Sequence, residues 1–388
     1  MARPVVMLPQ EDRTLARYEL GAPSPYEPPK EPLKSRVAYA AVHVVADPFA
    51  ENTLETGARL DWEATVAYRR YLWSMGLSVA EAMDTAQRGM GLDWRACREL
   101  IQRTAAEATA VRGGLACGAS TDQLPPGKTD LGTIEQAYEE QCAFIEDAGA
   151  TAVVMASRQL AASARGPDDY LRVYGHVLSR VARPVILHWL GEVFDPQLAG
   201  YWGSRDLDAA AETLAQIVRA HAAKVDGVKV SLLDDPRELE LREQFQRYDV
   251  RLYTGDDFNY MDLIRGDARG YSHALLGIFD AIAPAASAAI QALDRGQADL
   301  YEAILKPTVA LSRHIFCSPT YYYKTGLVFL AYLNGHQQHF RMIAGMESAR
   351  STVHLGRILV LADQARLLRF PDLAASRMRK VLSLAGIE

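Results

Sequence analysis

The stretch "VDGVKVSLLDD", residues 225–235, is apolar enough to be a buried strand, yet it carries a lysine at its centre. Side chains alternate along a strand, so Gly227, Lys229 and Ser231 share one face while Val228, Val230 and Leu232 share the other. The valine face suits a covering layer of helices. Lys229 then points inward, beside a glycine, Gly227, that is expected to make room for it. Desolvating an ammonium is costly, so such a lysine is either paired with a carboxylate or has its pKa lowered; spacing alone leaves both open.

Outward from this stretch the same unit recurs. Short β-branched or small-residue runs alternate with longer helical patterns, the sign of repeated βα units around a parallel sheet. The expected strands are RVAYAAVHVVA (36–46), LSVAEAM (77–83), GLACGA (114–119), TAVVMA (151–156), PVILHWL (184–190), VDGVKVS (225–231), VRLYTG (250–255) and GYSHALL (270–276). Helical patterns lie between them, over 61–75, 93–111, 133–148, 168–181, 207–222, 236–247 and 259–264. Several open on Asp or Thr, suitable N-caps. Eight such units fill about 250 residues when they close into a barrel. The expected fold class is therefore α/β, a (β/α)8 TIM barrel over residues 36–294, and no G-x-G-x-x-G follows the first strand to favour an open dinucleotide-binding sheet. The second and third strands carry the weakest pattern, because Ala, Gly and Glu are poor strand formers.

Beyond residue 294 the strand signal stops, and residues 295–388 read as a C-terminal helical appendage whose apolar stripes would cover the barrel flank or a partner subunit. Residues 1–35 read as an extended N-terminal arm, since "APSPYEPPKEPLKS" is dense in proline. A net charge of −6 over 388 residues leaves no basic excess for phosphates, so no nucleic-acid partner is expected. Neither a signal segment nor a membrane-spanning run is evident. Cys97, Cys117, Cys142 and Cys317 share no metal or redox spacing and read as free thiols, consistent with a cytoplasmic location.

In a barrel of this type, chemistry hangs from the C-terminal ends of the strands. Four ends carry polar groups: Lys229 and Ser231; His188 with Trp189 and Glu192 beyond it; Gly255, Asp256 and Asp257; and Ser272 with His273. Each has a bland alternative. A strand-end histidine is often a hydrogen-bonded filler, and an acidic pair often caps the next helix. "HQQH" (336–339) has no third ligand nearby and is not read as a metal site.

Together these segments resemble the dihydrodipicolinate synthase and N-acetylneuraminate lyase superfamily of class I aldolases. "VDGVKVSLLDD" is similar to that family's sixth strand, G-[IV]-K-[DE]; "VRLYTGDD" is similar to its seventh, ending S-G-D-D; and "HIFCSPTYYYKTGLVFLAYLNG" resembles its tail segment L-F-x-x-P-x-x-x-x-K-x-x-x-x-x-x-G. The resemblance implies that Lys229 forms a Schiff base with a keto compound. "MDTAQRGMGLDW" occupies the place of the family's G-T-T-G-E segment: Thr85 matches the first threonine, Ala86 replaces the second, and Gln87 and Arg88 replace Gly-Glu. In "PVILHWLGEVF", His188 stands where the family has a proton-relaying tyrosine, Trp189 replaces an asparagine, Gly191 a proline, and Val193 the arginine that holds a second substrate's carboxylate.

The resemblance thus implies a divergent, Schiff-base lyase or aldolase, distinct from dihydrodipicolinate synthase itself, acting on a small 2-keto acid or keto-sugar-derived carbonyl compound without a cofactor. Lys229 would be the nucleophile, His188 the general acid/base and Thr85 a relay. Trp189, Glu192, Ser231, Gly255, Asp256, Asp257 and His273 would line or bind substrate. A homodimer or homotetramer is expected. The rivals are a metal-assisted hydrolase or isomerase in which His188, Glu192, Asp256 and His273 converge on an ion, and a non-catalytic binding barrel.

Overall fold

Every run expected as a barrel strand forms one, trimmed to the residues whose neighbours complete the ladder. The structure, a computed structural model, describes residues 3–387. Residues 1, 2 and 388, the ends of the expected arm and of the expected tail, lie outside the described residues. Among the described residues ten strands occur: β1 (Val5–Pro9), β2 (Leu15–Glu19), β3 (Ala38–Ala41), β4 (Ser78–Glu81), β5 (Leu115–Ala119), β6 (Thr151–Val154), β7 (Val185–Leu190), β8 (Val225–Ser231), β9 (Arg251–Thr254) and β10 (His273–Leu276). Strands β3 to β10 are parallel and close into a barrel, with β10 pairing β3. This is the (β/α)8 architecture, and C-terminal helices follow it.

Period-two alternation sends one residue set inward. Ala41, Ala80, Met83, Ala116, Val153, Met155, Ile186, Tyr253 and Leu275, from seven of the eight strands or the residues just beyond them, form one buried cluster. The small residues that make β4 and β5 weak by propensity are there for space: Ala80 and Ala116 face the bulky Met83, Met155 and Tyr253 across a narrow interior. The helices begin where capping predicts. Asp93, Asp130, Asp206 and Asp234 each accept from a backbone N–H three residues on, at 2.8–3.1 Å.

The chain divides into two units. One comprises Arg36–Val42 and Ser78–Gly277 and contains all eight barrel strands. The other comprises Met1–Ser35, His43–Leu77 and Ile278–Glu388, so it takes in the helix Trp62–Ser74 and the helix Ala283–Asp294 as well as the tail. Its boundaries differ from those of the expected 36–294 barrel.

The expected extended arm is in part a hairpin. β1 and β2 pair antiparallel from Val5↔Glu19 to Pro9↔Leu15 across a turn in which Asp12 accepts from the backbone and hydroxyl of Thr14. Val6 and Leu8 are buried, and β1 packs on the helices Thr352–Gln364 and Pro371–Leu384. The carboxylate of Asp363 holds the following segment, accepting from Tyr18 Oη at 2.8 Å and Gly21 N at 2.9 Å. The tail stripes, expected against the barrel or a partner, bury against one another: Tyr323–Leu333 contacts both Thr352–Gln364 and Pro371–Leu384. Proline spacing marks the polar arm, whereas the hairpin is stabilised by helices more than 300 residues away in sequence.

Candidate active site

Lys229 lies directly across the β7–β8 ladder from His188, and the same register continues to Tyr253 on β9. All three therefore face the barrel interior. Lys229 is 4 % exposed and His188 has no exposed surface. His188 Nε2 is 3.1 Å from Ser231 Oγ, two residues beyond the lysine on the same face. The other ring nitrogen, Nδ1, is buried without a hydrogen-bond partner. Buried polar atoms are almost always satisfied, so this one marks a position where an incoming ligand or water gains a bond.

Room for the lysine comes from Gly255. A Cβ there would sit 2.9 Å from Lys229 Cε and 2.7 Å from the Val230 carbonyl, besides colliding with Ser231 Oγ. Gly227, expected to serve that purpose, instead makes way for the Tyr253 ring, which a Cβ would approach to 2.5 Å. Tyr253 fills the barrel below the lysine and donates from its hydroxyl to Asp226 at 2.6 Å.

Burial pushes the Lys229 pKa down from its ordinary value, and the carboxylates of Asp84 and Asp257 oppose that shift without reversing it. A simple structural ion pair would shift it upward. Burial, reinforced by the charge of Lys229, also holds His188 well below the usual imidazole range, with Asp84 opposing. His188 is thus neutral near pH 7 and able to accept a proton. Asp84, whose charge acts on both groups, stands on the one-turn helix Asp84–Ala86 after β4, entered through Ala82 at φ 54°. It was not among the residues singled out from sequence, although it stands immediately before Thr85 at a strand end. Thr85 itself is buried on the same turn.

Other expected residues are placed elsewhere. Trp189 is buried but faces away from the interior, edge-on to Trp202 at 6.4 Å beside Tyr174 and Tyr201, so it does not wall the pocket. Parity requires this, since its neighbour His188 points inward. Glu192 is exposed on the loop after β7. Asp256 accepts from the backbone N–H of Phe258 at 2.8 Å and of Asn259 at 2.9 Å and from the Asn259 side chain at 2.9 Å, a loop-holding role. His273 opens β10 instead of closing it. Its Nδ1 accepts from Val37 N at 2.9 Å, and its ring lies 5.7 Å from that of Tyr253. Burial and the charges of Arg251 and Arg36 push its pKa to about 4. It belongs to the N-terminal end of the barrel. The four residues weighed as metal ligands do not converge, and among the described residues no group of three or more His, Cys, Asp or Glu is arranged to hold an ion.

Arg88, in the same loop as Thr85, is buried and fully engaged. It donates to Asp122 at 2.9 and 2.6 Å, to Gln141 Oε1, and to the carbonyls of Ala82 and Gly118. Gln141 donates back to Asp122 at 3.0 Å. This network ties the loop after β4 to the one after β5 and fixes the backbone that carries Asp84 and Thr85; sequence gave no sign of it, because its members lie on separate βα units. A cleft of 700 Å³ lies elsewhere, lined in part by Leu8, His314, His354 and Arg357. The four cysteines are free, Cys317 being partly exposed and the other three buried.

The barrel is of the dihydrodipicolinate synthase type in fold. It superposes on dihydrodipicolinate synthase from Thermotoga maritima with a TM-score of 0.65 at 13% identity, covering 86% of this chain and 99% of that one. The synthase from Bacteroides thetaiotaomicron gives 0.63 at 14%, covering 85% and 99%. The chloride-inhibited synthase from Acinetobacter baumannii, complexed with pyruvate, gives 0.59 at 14%, covering 86% and 100%. No curated protein matches the sequence. By sequence the chain belongs to the family described as "Protein of unknown function (DUF993)", matched over residues 6–387. Among the described residues no helix is long and apolar enough to cross a membrane.

Proposed function

We propose that this protein is a class I lyase or aldolase-like enzyme that forms an imine between Lys229 and a small carbonyl compound, a 2-keto acid or a keto-sugar derivative. The observation that carries this is a lysine enclosed in the barrel with its pKa lowered, next to a buried neutral histidine. The dihydrodipicolinate synthase fold supports it, and one such structure is complexed with pyruvate.

The chemistry follows from the groups at hand. The neutral amine of Lys229 attacks the carbonyl carbon, giving a carbinolamine. Loss of water, with one proton delivered to the departing oxygen, yields the iminium. His188 moves these protons: it takes one from the attacking nitrogen and passes it to the carbonyl oxygen, and it then delivers a second, taken up from solvent, to the hydroxyl as it leaves as water, while Ser231 Oγ holds its Nε2 side. The iminium then draws electrons from an adjacent bond, and Asp84 and Asp257 offset its positive charge. Thr85, on the turn that carries Asp84, is the relay or oxygen-binding group in this scheme.

Borohydride trapping tests the proposal. Incubation with a panel of 2-keto acids and ketoses, reduction and peptide mass spectrometry should yield an adduct on Lys229 that Lys229→Ala lacks. Absence of an adduct across the panel, with turnover that survives Lys229→Ala, would overturn it.

A further inference from the structure

Lys229 and His188 are direct ladder partners, yet neither ring nitrogen is hydrogen-bonded to the amine. Nδ1 is buried and has no hydrogen-bond partner, and Nε2 is 3.1 Å from Ser231 Oγ. The imidazole has no exposed surface, so it does not meet bulk water either. Among the described residues its hydrogen-bonded neighbour is Ser231 alone, and a proton that reaches or leaves the ring passes through that hydroxyl.

Ser231 is placed to carry the proton onward. It follows Lys229 by two residues on β8, so both side chains leave the strand on the same face. Gly255 shows how near they come to each other. The position that a Cβ would take there is 2.2 Å from Ser231 Oγ and 2.9 Å from Lys229 Cε, so these two atoms are separated by no more than the sum of those distances. The amine is one bond beyond Cε, and in the rotamer that turns it toward Oγ the remaining gap is one that direct contact or a single water spans. A serine hydroxyl donates and accepts at once, so it takes a proton on one side while giving up its own on the other.

Building on the imine mechanism proposed above, we propose that Ser231 is the proton relay of this site, the group through which Lys229 and His188 exchange protons. As the lysine nitrogen bonds to the carbonyl carbon, the π electrons move to the carbonyl oxygen and the nitrogen becomes positively charged. One of its protons passes to Ser231 Oγ while the serine's own proton passes to His188 Nε2. This leaves a neutral nitrogen, an intact serine hydroxyl and an imidazolium. The reverse passage hands a proton back through Ser231 to the oxygen. Burial disfavours the imidazolium, so the ring releases that proton readily and does not retain it.

Trapping rates test this. Each member of a panel of 2-keto acids and ketoses is reduced with borohydride on the wild-type protein, and the one that labels Lys229 fastest is kept as the probe. General acid–base transfer contributes about 10²–10⁴ in rate, so Ser231→Ala should slow labelling by at least about a hundredfold. A mere disturbance of the fold would add its loss to that of His188→Gln, whereas a relay that serves His188 has nothing left to lose once the histidine is gone. The double variant should therefore be no slower than the slower of the two single variants. A loss below about a hundredfold in Ser231→Ala, or losses that multiply in the double variant, overturns the proposal. If no compound labels the wild-type protein, the imine reading fails, and the relay is judged on the protein alone by NMR with isotope-labelled histidine. Exchange of the His188 ring proton with solvent should then be slower in Ser231→Ala by at least about tenfold, the loss of its route to the ring. A smaller slowing, or faster exchange, overturns it.

Discussion

Lys229 and His188 are direct ladder partners on β8 and β7, and Ser231, 3.1 Å from His188 Nε2, follows the lysine on the same face. The proposed nucleophile and base are therefore both held on adjacent strands of the barrel sheet and not on loops. This arrangement makes the reactivity of the lysine a matter of its electrostatic surroundings, which can be altered one residue at a time.

The rate of trapping should rise with pH, because only the neutral amine attacks and burial lowers the Lys229 pKa below its ordinary value. Asp84 opposes that lowering, so Asp84→Asn should move the midpoint of the pH–rate curve to lower pH. Trapping rates with saturating ketone from pH 6 to 10 check this; a midpoint that stays put or rises in the variant contradicts it.

Gly255→Ala should damage both stability and reactivity. The new Cβ would meet backbone at the Val230 carbonyl, 2.7 Å away, and press on Lys229 Cε, 2.9 Å away. Overpacking of this kind costs about 1–3 kcal/mol. Urea denaturation should record the loss, and trapping on Lys229 should slow by at least about tenfold as the amine is displaced from its position.

Glu238 supplies a pH test independent of the lysine. It is buried between Thr254 Oγ1 and Ser272 Oγ, each 2.9 Å away, and burial together with Asp256 pushes its pKa up to about 8. The folded state then binds a proton that the unfolded chain has released between about pH 4.5 and 8, so stability from this group falls as pH rises through that window. Glu238→Gln keeps the neutral form at all pH values. It should be more stable than wild type at pH 9, by on the order of 5 kcal/mol at about 1.4 kcal/mol per pKa unit, with the difference vanishing near pH 4. Thermal melts across that range decide it.

Asp363→Ala should loosen the N-terminal hairpin. It removes the acceptor for Tyr18 Oη and Gly21 N, leaving partly buried donors without a partner at a cost of about 1–3 kcal/mol. Limited proteolysis should cut near residues 20–25 faster in the variant, whereas trapping on Lys229 should be unchanged.

Much of the barrel was legible from local pattern. β8 spans the residues expected for it, 225–231, because β-branched alternation and the aspartates after it mark both ends. The inward face of Lys229 followed from parity; the same rule turns Trp189 outward beside the inward His188, against the expectation that Trp189 lines the substrate pocket. His273 shows what parity does not convey. The run 270–276 begins with a turn closed by the Asp267–Gly270 bridge, so the strand starts at His273, which opens β10 instead of ending it. Alternation specifies a face; height along the barrel depends on where the preceding turn ends. The hairpin of β1 and β2 was missed because a five-residue pair of strands has no stability of its own and depends on helices of the C-terminal tail.

The sequence by itself determined the eightfold alternation of strand and helix, the enclosed lysine at residue 229 and the histidine one strand away, since each depends on periodicity over a few residues. Only the tertiary structure decided which charges surround that lysine. Asp84, Asp257 and Lys229 come from three different βα units, and Arg88 is drawn off to Asp122 by a fourth. Closure of the barrel brings these strand ends together, and Coulomb interactions, which act through space and not along the chain, then set the reactivity of the site.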